Sequence, residues 1–330
     1  MGKILTIGIP VYNMEKYLER CLDSVTGIPN LEDVEIIVVN DGSKDRSLEI
    51  AKTYEHRFPT SVKVIDKPNG GWGSGINRSI KEATGTYFKS LDSDDWFDTN
   101  QLSKFVDVLK NITADLVLSA LNEVNEHGDI INTRAYDTEF TDKVFDFGQF
   151  LKETTLCGPI HAITYRTNLL RDNNFLVWEK FYGDLDYIST PLEHVRTIYQ
   201  TNLNIYQYFI GREGQSISIE GYRKHLDDYL AVARKAIKLD SARADITSQE
   251  LRAILWQTVK ERALWPYKLL LQQNYLGKEP YAQAKLKEFD SFIKTNHPRL
   301  YKAIATERLK GFIPYILLWR HLGFNIYRLR

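Results

Sequence analysis

The first 120 residues alternate between two hydrophobic periods, and this alternation constrains the fold more than any other feature of the sequence. Short runs rich in β-branched residues, such as 4–9 and 34–39, predict strands. Between them, apolar residues recur at three- and four-residue spacing, as at 14–25, which predicts amphipathic helices. The run at 34–39 is apolar almost throughout, as expected of a strand covered on both faces. The pattern predicts an α/β fold with a doubly wound, mostly parallel sheet flanked by helices.

Three polar clusters directly follow predicted strands in this region. They are Pro10–Asn13, Asn40–Ser43 and Asp92–Asp95. The carboxyl ends of parallel strands meet along one edge of a sheet, and ligands of such sheets bind at that edge. We therefore expect the three clusters to share one ligand site.

The cluster Asp92-Ser93-Asp94-Asp95 is the most informative of the three. Its three carboxylates lie within four residues and repel one another, so burying them unpaired would be expensive. A divalent cation that bridges to a diphosphate removes this penalty, and hard oxygen ligands suit Mn²⁺ or Mg²⁺. The alternative is an Asp-rich turn that caps the following helix.

The other two clusters offer contacts for a nucleoside. Asp41 can accept a hydrogen bond from the N3–H of a uracil ring, and Gly42 lets a ligand approach the backbone. Tyr12 offers a stacking surface, and Asn13 offers a polar contact or a helix cap. Simple turns leading into the next helices remain the alternative for both clusters.

Two further segments contain groups that attract anions. The loop with Asn69, Gly70 and Gly71 precedes a predicted helix, and exposed amides at a helix start favour anions. It matches neither the dinucleotide-binding nor the Walker pattern, so on its own it is a weak signal. Arg212, in the segment 211–218, could bring a cation to a diphosphate, with a surface turn as an equal alternative.

The segment 181–187 places two carboxylates, Asp184 and Asp186, among aromatic residues. A partly desolvated carboxylate can take a proton from a sugar hydroxyl. Both residues could equally be acids at a helix start, where the helix dipole stabilises them.

Composition excludes several classes of protein. The sequence has 43 Lys and Arg against 43 Asp and Glu, so a broadly basic nucleic-acid binder is excluded. Its two cysteines, Cys21 and Cys157, form no disulfide or zinc pattern, and Cys21 is expected to be a small buried residue on a helix face. No run is long enough to span a bilayer, and the N-terminus lacks the features of a signal peptide. We expect a cytoplasmic protein, with contact to the inner face of the membrane as an option.

The C-terminal part is predicted to be mainly helical from about residue 221. Residues 309–330 contain no acid and mix basic with aromatic side chains. A terminal helix docked on the core or on a second subunit is favoured over a helix lying on an anionic membrane.

The motifs IGIPVYN, VVNDGS, KPNGGWGSGINRSI, FKSLDSDDW and FYGDLDY resemble, in order and spacing, those of bacterial family-two inverting glycosyltransferases with a GT-A fold. The resemblance covers about residues 1–220, which are expected to form the nucleotide-sugar-binding and catalytic domain. It implies transfer of a sugar from a UDP-sugar to a hydroxyl of a glycan or glycoprotein acceptor. Residues 221–330 are expected to contact the acceptor, a second copy or a membrane surface.

The resemblance also implies a role for each matching residue. Pro10, Tyr12 and Asp41 would bind uracil and ribose, and the loop from Asn69 would add nucleotide contacts. Asp92 and Asp94 would form the metal-binding DXD pair, Asp95 would face the donor sugar, and Asp184 would be the catalytic base.

Two departures from the family pattern keep other functions open. Ile76 stands where many members have Arg, and Gly183 stands where many have Glu. A non-catalytic nucleotide-sugar-binding or scaffold subunit is therefore the main alternative. A nucleotidyltransferase ranks last, because Pro10–Asn13 occupies the place of its usual glycine-rich, basic loop.

Overall fold

The structure is a computed structural model that describes residues 2–154, 159–179, 181–211, 219–242, 248–272, 280–308 and 311–323. Tertiary contacts divide the chain into two units, residues 1–215 and 216–330. The first unit is built around a sheet, and the second is helical. The expected α/β class with a helical C-terminal region is confirmed.

Among the described residues of the first unit, ten strands join one sheet. Their bounds are β1 Leu5–Val11, β2 Val34–Asn40, β3 Val62–Asp66, β4 Tyr87–Ser90, β5 Trp96–Phe97, β6 Leu116–Val124, β7 Ile130–Arg134, β8 Val144–Asp146, β9 Ile163–Arg166 and β10 Thr197–Phe209. The main order is β3-β2-β1-β4-β9-β6-β10-β5, with β7 paired to β6 and β8 to β10. The sheet is mixed: β1 to β4 pair in parallel, as do β6 and β10, whereas β9 is antiparallel to both β4 and β6.

Helices flank this sheet. They are α1 Leu18–Thr26, α2 Ser47–Arg57, α3 Trp72–Glu82, α4 Thr99–Asn111, α5 Phe147–Glu153, α6 Thr167–Asp172 and α7 Asp184–Ser189. The main hydrophobic core lies between α1, α2, α4 and one face of the sheet. Cys21 of α1 is fully buried in it, as expected, whereas Cys157 lies outside the described residues.

The apolar run at 34–39 is explained by the position of β2. This strand has parallel neighbours on both sides, β1 and β3, and all its residues except Glu35 are buried. Because Pro10 pairs with Val39 and Gly8 pairs with Ser90, the carboxyl ends of β1, β2 and β4 lie side by side. The three polar clusters therefore leave the sheet at one edge.

The described residues of the second unit include the helices α8 Ile219–Lys224, α9 Leu226–Ala242, α10 Gln249–Tyr267, α11 Pro280–Asn296, α12 Pro298–Ala305 and α13 Tyr315–Leu322. In α13, Tyr315 and Ile316 are buried, and the Arg320 guanidinium lies 2.8 Å from the Asp290 carboxylate. The last helix that the structure describes thus packs within its own unit. Within the described ranges, every helix is too short or too polar to cross a membrane.

Candidate active site

The ends of β1 and β2 are joined by direct hydrogen bonds. The Asp41 amide donates to the Val11 carbonyl at 2.8 Å, and the Asn13 amide donates to Ser43 Oγ at 3.1 Å. Asn13 has a left-handed backbone (φ 54°), which asparagine tolerates better than most residues. Tyr12 between them is 47% exposed, so its ring is available for stacking.

The Asp41 carboxylate organises the glycine-rich loop before α3. Its two oxygens accept hydrogen bonds from the amides of Gly70 (2.9 Å) and Gly71 (2.7 Å), and Lys67 forms an ion pair with it. The Asn69 side chain donates to the Asp41 carbonyl at 2.9 Å. The predicted nucleotide residues Asp41 and Asn69–Gly71 therefore lie together, but much of the carboxylate's accepting capacity is already used by the loop.

Pro10 contacts the helix that follows this loop. A side chain at Gly75 of α3 would place its Cβ 2.8 Å from Pro10 Cβ, so only glycine permits this distance. From the same helix, Trp72 Nε1 donates to Asp92 Oδ1 at 2.8 Å. Helix α3 thus connects the β1 and β2 ends with the acidic cluster.

The acidic cluster after β4 contains one deeply buried carboxylate. Asp95 is 1% exposed, and it accepts hydrogen bonds from the Tyr206 hydroxyl (2.7 Å) and the Phe209 amide (2.8 Å). Tyr206 also accepts a hydrogen bond from the Asp92 amide at 3.1 Å. Burial, reinforced by the charges of Asp94 and Asp92, raises the pKa of Asp95 well above its ordinary value.

His161 completes this cluster. Its Nε2 lies 3.7 Å from Asp92 Oδ2 and 4.0 Å from Asp95 Oδ2, and its ring stacks on Tyr208 with centroids 4.2 Å apart. Within the part of the chain that the structure describes, Asp92, Asp95 and His161 form a group whose ligand atoms all lie within 4.8 Å of one another. Two carboxylates and an imidazole are groups that can bind a divalent cation.

Asp94 is placed differently from its two neighbours. Its carbonyl accepts a hydrogen bond from Arg20 at 3.1 Å, and the Arg20 guanidinium stacks 3.7 Å from the Trp96 ring centre. Asp94 does not belong to the group formed by Asp92, Asp95 and His161. Its assignment as a metal ligand stays a prediction.

Lys89 lies in β4, close to this cluster, and is fully buried. Its Nζ donates to the carbonyls of His161 (2.7 Å) and Ile163 (3.3 Å). Burial lowers the pKa of Lys89 from 10.5 to about 7.

Of the two acids proposed near residue 184, one is buried and one is partly accessible. Asp186 is fully buried and accepts a hydrogen bond from the Trp178 amide at 3.0 Å. Asp184 is the first residue of α7 and is half-buried. Only Asp184 of the pair therefore has the access that an acceptor hydroxyl would need.

The two departures from the family pattern have local explanations. Ile76 is fully buried, and Arg78 turns away to pair with Glu82 at 3.0 Å, so neither supplies the absent guanidinium. At Gly183, a Cβ would lie 2.3 Å from the Trp178 carbonyl oxygen, which leaves no room for Glu without a backbone shift. Arg212, the other predicted cation, lies outside the described residues.

Comparison with known proteins defines the family. A sequence profile described as glycosyl transferase family 2 matches residues 6–172, slightly more than half of the chain. The chain belongs to glycosyl transferase family 2. The matched segment includes the nucleotide loop, the acidic cluster and His161, and it ends before Asp184.

Curated glycosyltransferases align with much of this chain. Its alignment with the poly(ribitol-phosphate) beta-glucosyltransferase of Bacillus spizizenii spans 345 positions at 28% identity. This alignment covers 94% of this chain but only 50% of that protein. The chain therefore spans about half the length of that protein. A second alignment, with the putative glycosyltransferase EpsH of Bacillus subtilis, is 25% identical and covers 68% of this chain and 73% of EpsH.

Solved structures share the fold. S. aureus TarS 1–349 in complex with UDP-GlcNAc superposes with a TM-score of 0.63 at 22% identity, over 90% of this chain and 82% of that one. Mannosyltransferase PcManGT from Pyrobaculum calidifontis, solved with GDP-Man and Mn²⁺, gives a TM-score of 0.52 at 13% identity, over 92% and 82%. At these identities the likeness shows the GT-A fold alone.

Proposed function

We propose that this family 2 member is a metal-dependent glycosyltransferase that moves a sugar from a UDP-sugar to an acceptor hydroxyl, with inversion at the anomeric carbon. The observation that supports it best is the meeting of the Asp41 loop and the Asp92, Asp95 and His161 cluster at one sheet edge, both contacting α3. Such an arrangement suits a nucleotide at one end and its diphosphate at the other.

Within this proposal, Asp92, Asp95 and His161 would hold Mn²⁺ or Mg²⁺, and Asp94 is a further candidate ligand. A bound cation would offset the negative charge that develops on the departing diphosphate. Tyr12 would stack on the uracil ring, and Asp41 would accept its N3–H while the loop amides keep sharing the carboxylate. Solved structures of the same fold that contain a nucleotide sugar support this use of the fold.

Asp184 would act as the base in a single displacement. It takes the acceptor hydroxyl proton as that oxygen bonds to the anomeric carbon and the bond to the UDP oxygen breaks. Attack on the side opposite the leaving group inverts the configuration. The acceptor would be a hydroxyl of a bacterial surface glycan, and the contacts of residues 221–330 with acceptor, membrane or a second copy stay predictions.

The test of the base is Asp184→Asn, with Asp172→Asn as a control for an exposed carboxylate on the nearby helix α6. We expect transfer to fall by roughly a hundredfold or more, because general base catalysis contributes on the order of 10²–10⁴. Calorimetric affinity for UDP with Mn²⁺ should stay within about twofold, since the side chain does not belong to the nucleotide loop or the acidic cluster. Unchanged turnover in Asp184→Asn would remove this residue from the role.

The test of the metal centre compares His161→Gln, Asp94→Asn and wild type by calorimetry with UDP, with and without Mn²⁺. We expect His161→Gln to weaken Mn²⁺-dependent UDP affinity by roughly tenfold or more. Removing a metal ligand should weaken metal binding at least as much as removing a group that hydrogen-bonds to a ligand, which costs about 10- to 100-fold. Equal affinities in His161→Gln and wild type would contradict this centre. A larger loss in Asp94→Asn than in His161→Gln would favour the DXD pair Asp92 and Asp94.

A screen of UDP-glucose, UDP-galactose and their N-acetyl forms for hydrolysis separates this proposal from the scaffold alternative. That alternative is favoured by the buried Ile76 and the crowded Gly183. UDP binding without hydrolysis or transfer of any of the donors would support a non-catalytic subunit.

A further inference from the structure

The segment Val177–Glu179 is held by a side chain of α3. Asn77 Nδ2 donates to the Val177 carbonyl at 2.9 Å, and Asn77 Oδ1 accepts from the Val177 amide at 2.8 Å. One side chain thus satisfies both backbone polar groups of Val177, as a neighbouring strand would in a sheet. This pair fixes the position of the peptide along the helix.

Two more contacts extend the attachment along the segment. The Ser74 amide donates to the Glu179 carbonyl at 3.2 Å. At Gly73, a Cβ would lie only 1.9 Å from the Trp178 carbonyl oxygen, so the backbone of the segment lies directly against α3. All three residues of Val177–Glu179 therefore contact the first turns of this helix.

The same segment also contacts the start of α7. The Trp178 amide donates to Asp186 Oδ2 at 3.0 Å, and a Cβ at Gly183 would meet the Trp178 carbonyl at 2.3 Å. Asp184 lies between these two contacts. The helix itself has only six residues and is preceded by Tyr182 in a left-handed conformation (φ 65°), so it depends on its surroundings for its orientation.

We propose that Asn77 is a positioning residue for Asp184, acting through the segment Val177–Glu179. This inference rests on the proposed function, in which Asp184 is the base. The helix that carries Asn77 also carries Trp72, which donates to Asp92 in the acidic cluster. Helix α3 therefore sets the distance between the base and the donor site, and an error of about 1 Å in such a distance can reduce a rate about a hundredfold.

The test is Asn77→Leu, which has a similar volume and removes both hydrogen bonds to Val177. We expect kcat for transfer to fall by roughly 10- to 100-fold, while the affinity for UDP with Mn²⁺ changes by less than about twofold. Hydrogen exchange of the amides in 184–189 should become faster, because the segment that holds α7 is released. Asn77→Asp keeps an acceptor for the Val177 amide but loses the donor, and the same three measurements apply to it if Asn77→Leu does not fold.

The matched control is Asn30→Leu. Asn30 Nδ2 also makes two hydrogen bonds between elements, to the Ser103 carbonyl and Asp107 Oδ1 (both 3.1 Å), but on α4. We expect this control to lower stability without changing kcat or exchange in 184–189. Unchanged kcat and exchange in both Asn77 variants, or an equal loss of kcat in Asn30→Leu, would overturn the proposal.

The Asp184→Asn variant distinguishes failure of the base assignment from failure of the positioning role. If it abolishes transfer while the Asn77 variants behave as wild type, the positioning role is wrong and the base assignment stands. If Asp184→Asn keeps transfer, the base assignment and the positioning of a base are both wrong, even where exchange in 184–189 shows that Asn77 holds α7.

Discussion

The buried Lys89 is expected to make the stability of the protein depend on pH, and this dependence can be measured. Its Nζ lies in the sheet with two carbonyls as hydrogen-bond partners, and burial lowers its pKa from 10.5 to about 7. A lysine with a depressed pKa is neutral in the folded protein over a pH range in which the unfolded chain is protonated. Between pH 10.5 and pH 7 the unfolded chain therefore binds more protons, and the free energy of unfolding falls as the pH is lowered.

The size of the effect follows from the two pKa values. With pKa values of 10.5 unfolded and about 7 folded, lowering the pH from 9 to 7 removes about 2 kcal/mol from the free energy of unfolding. Lys89→Met retains most of the apolar stem and eliminates the titration. It also leaves the carbonyls of His161 and Ile163 without this donor, which is a loss that does not depend on pH.

The assay is urea unfolding at pH 7 and pH 9, followed by tryptophan fluorescence, for wild type and Lys89→Met. Titrations of other groups are common to both proteins and cancel in the comparison. We expect wild type to lose about 2 kcal/mol more than the variant between pH 9 and pH 7. The control Phe88→Leu alters a buried neutral neighbour in β4. Its free energy of unfolding should change between pH 9 and pH 7 by the same amount as that of wild type. An equal change in the free energy of unfolding between pH 9 and pH 7 in wild type and Lys89→Met would show that Lys89 does not have a depressed pKa in the folded protein.

Two further substitutions test contacts around the site. Tyr206→Phe removes the hydroxyl that donates to Asp95 and accepts from the Asp92 amide. It should lower the free energy of unfolding by about 1–3 kcal/mol, as measured in urea, and wild-type stability would contradict the role of this hydroxyl. Gly183→Ala places a Cβ 2.3 Å from the Trp178 carbonyl, so it should cost about 1–3 kcal/mol and slow transfer. A variant with wild-type stability and turnover would show that the Trp178 peptide moves aside freely.

Much of the fold was predictable because local periodicity reports it directly. The strands β1 to β4 and the helices between them each carry their own pattern, and the polar residues after β1, β2 and β4 follow from parallel pairing. These features depend on residues that are close in sequence. The helices of the second unit could be predicted for the same reason.

The rest of the site depends on pairing between distant segments. β9 inserts antiparallel between β4 and β6, and this insertion brings His161 beside Asp92. β10 contributes Tyr206 to Asp95 in the same way. A lone histidine or tyrosine in a region of mixed pattern carries no local signal, so only the order of strands in the sheet could have identified these residues.

The Trp178 carbonyl oxygen faces a glycine on each side, Gly73 from α3 and Gly183 from the turn before α7. Neither glycine has a positive φ, so each is required by its neighbour and not by its own backbone angles. During evolution or engineering, neither position can acquire a side chain until that peptide is displaced. A redesign that restores an acidic residue before Asp184 must therefore rebuild Gly73, Trp178 and Gly183 as one set.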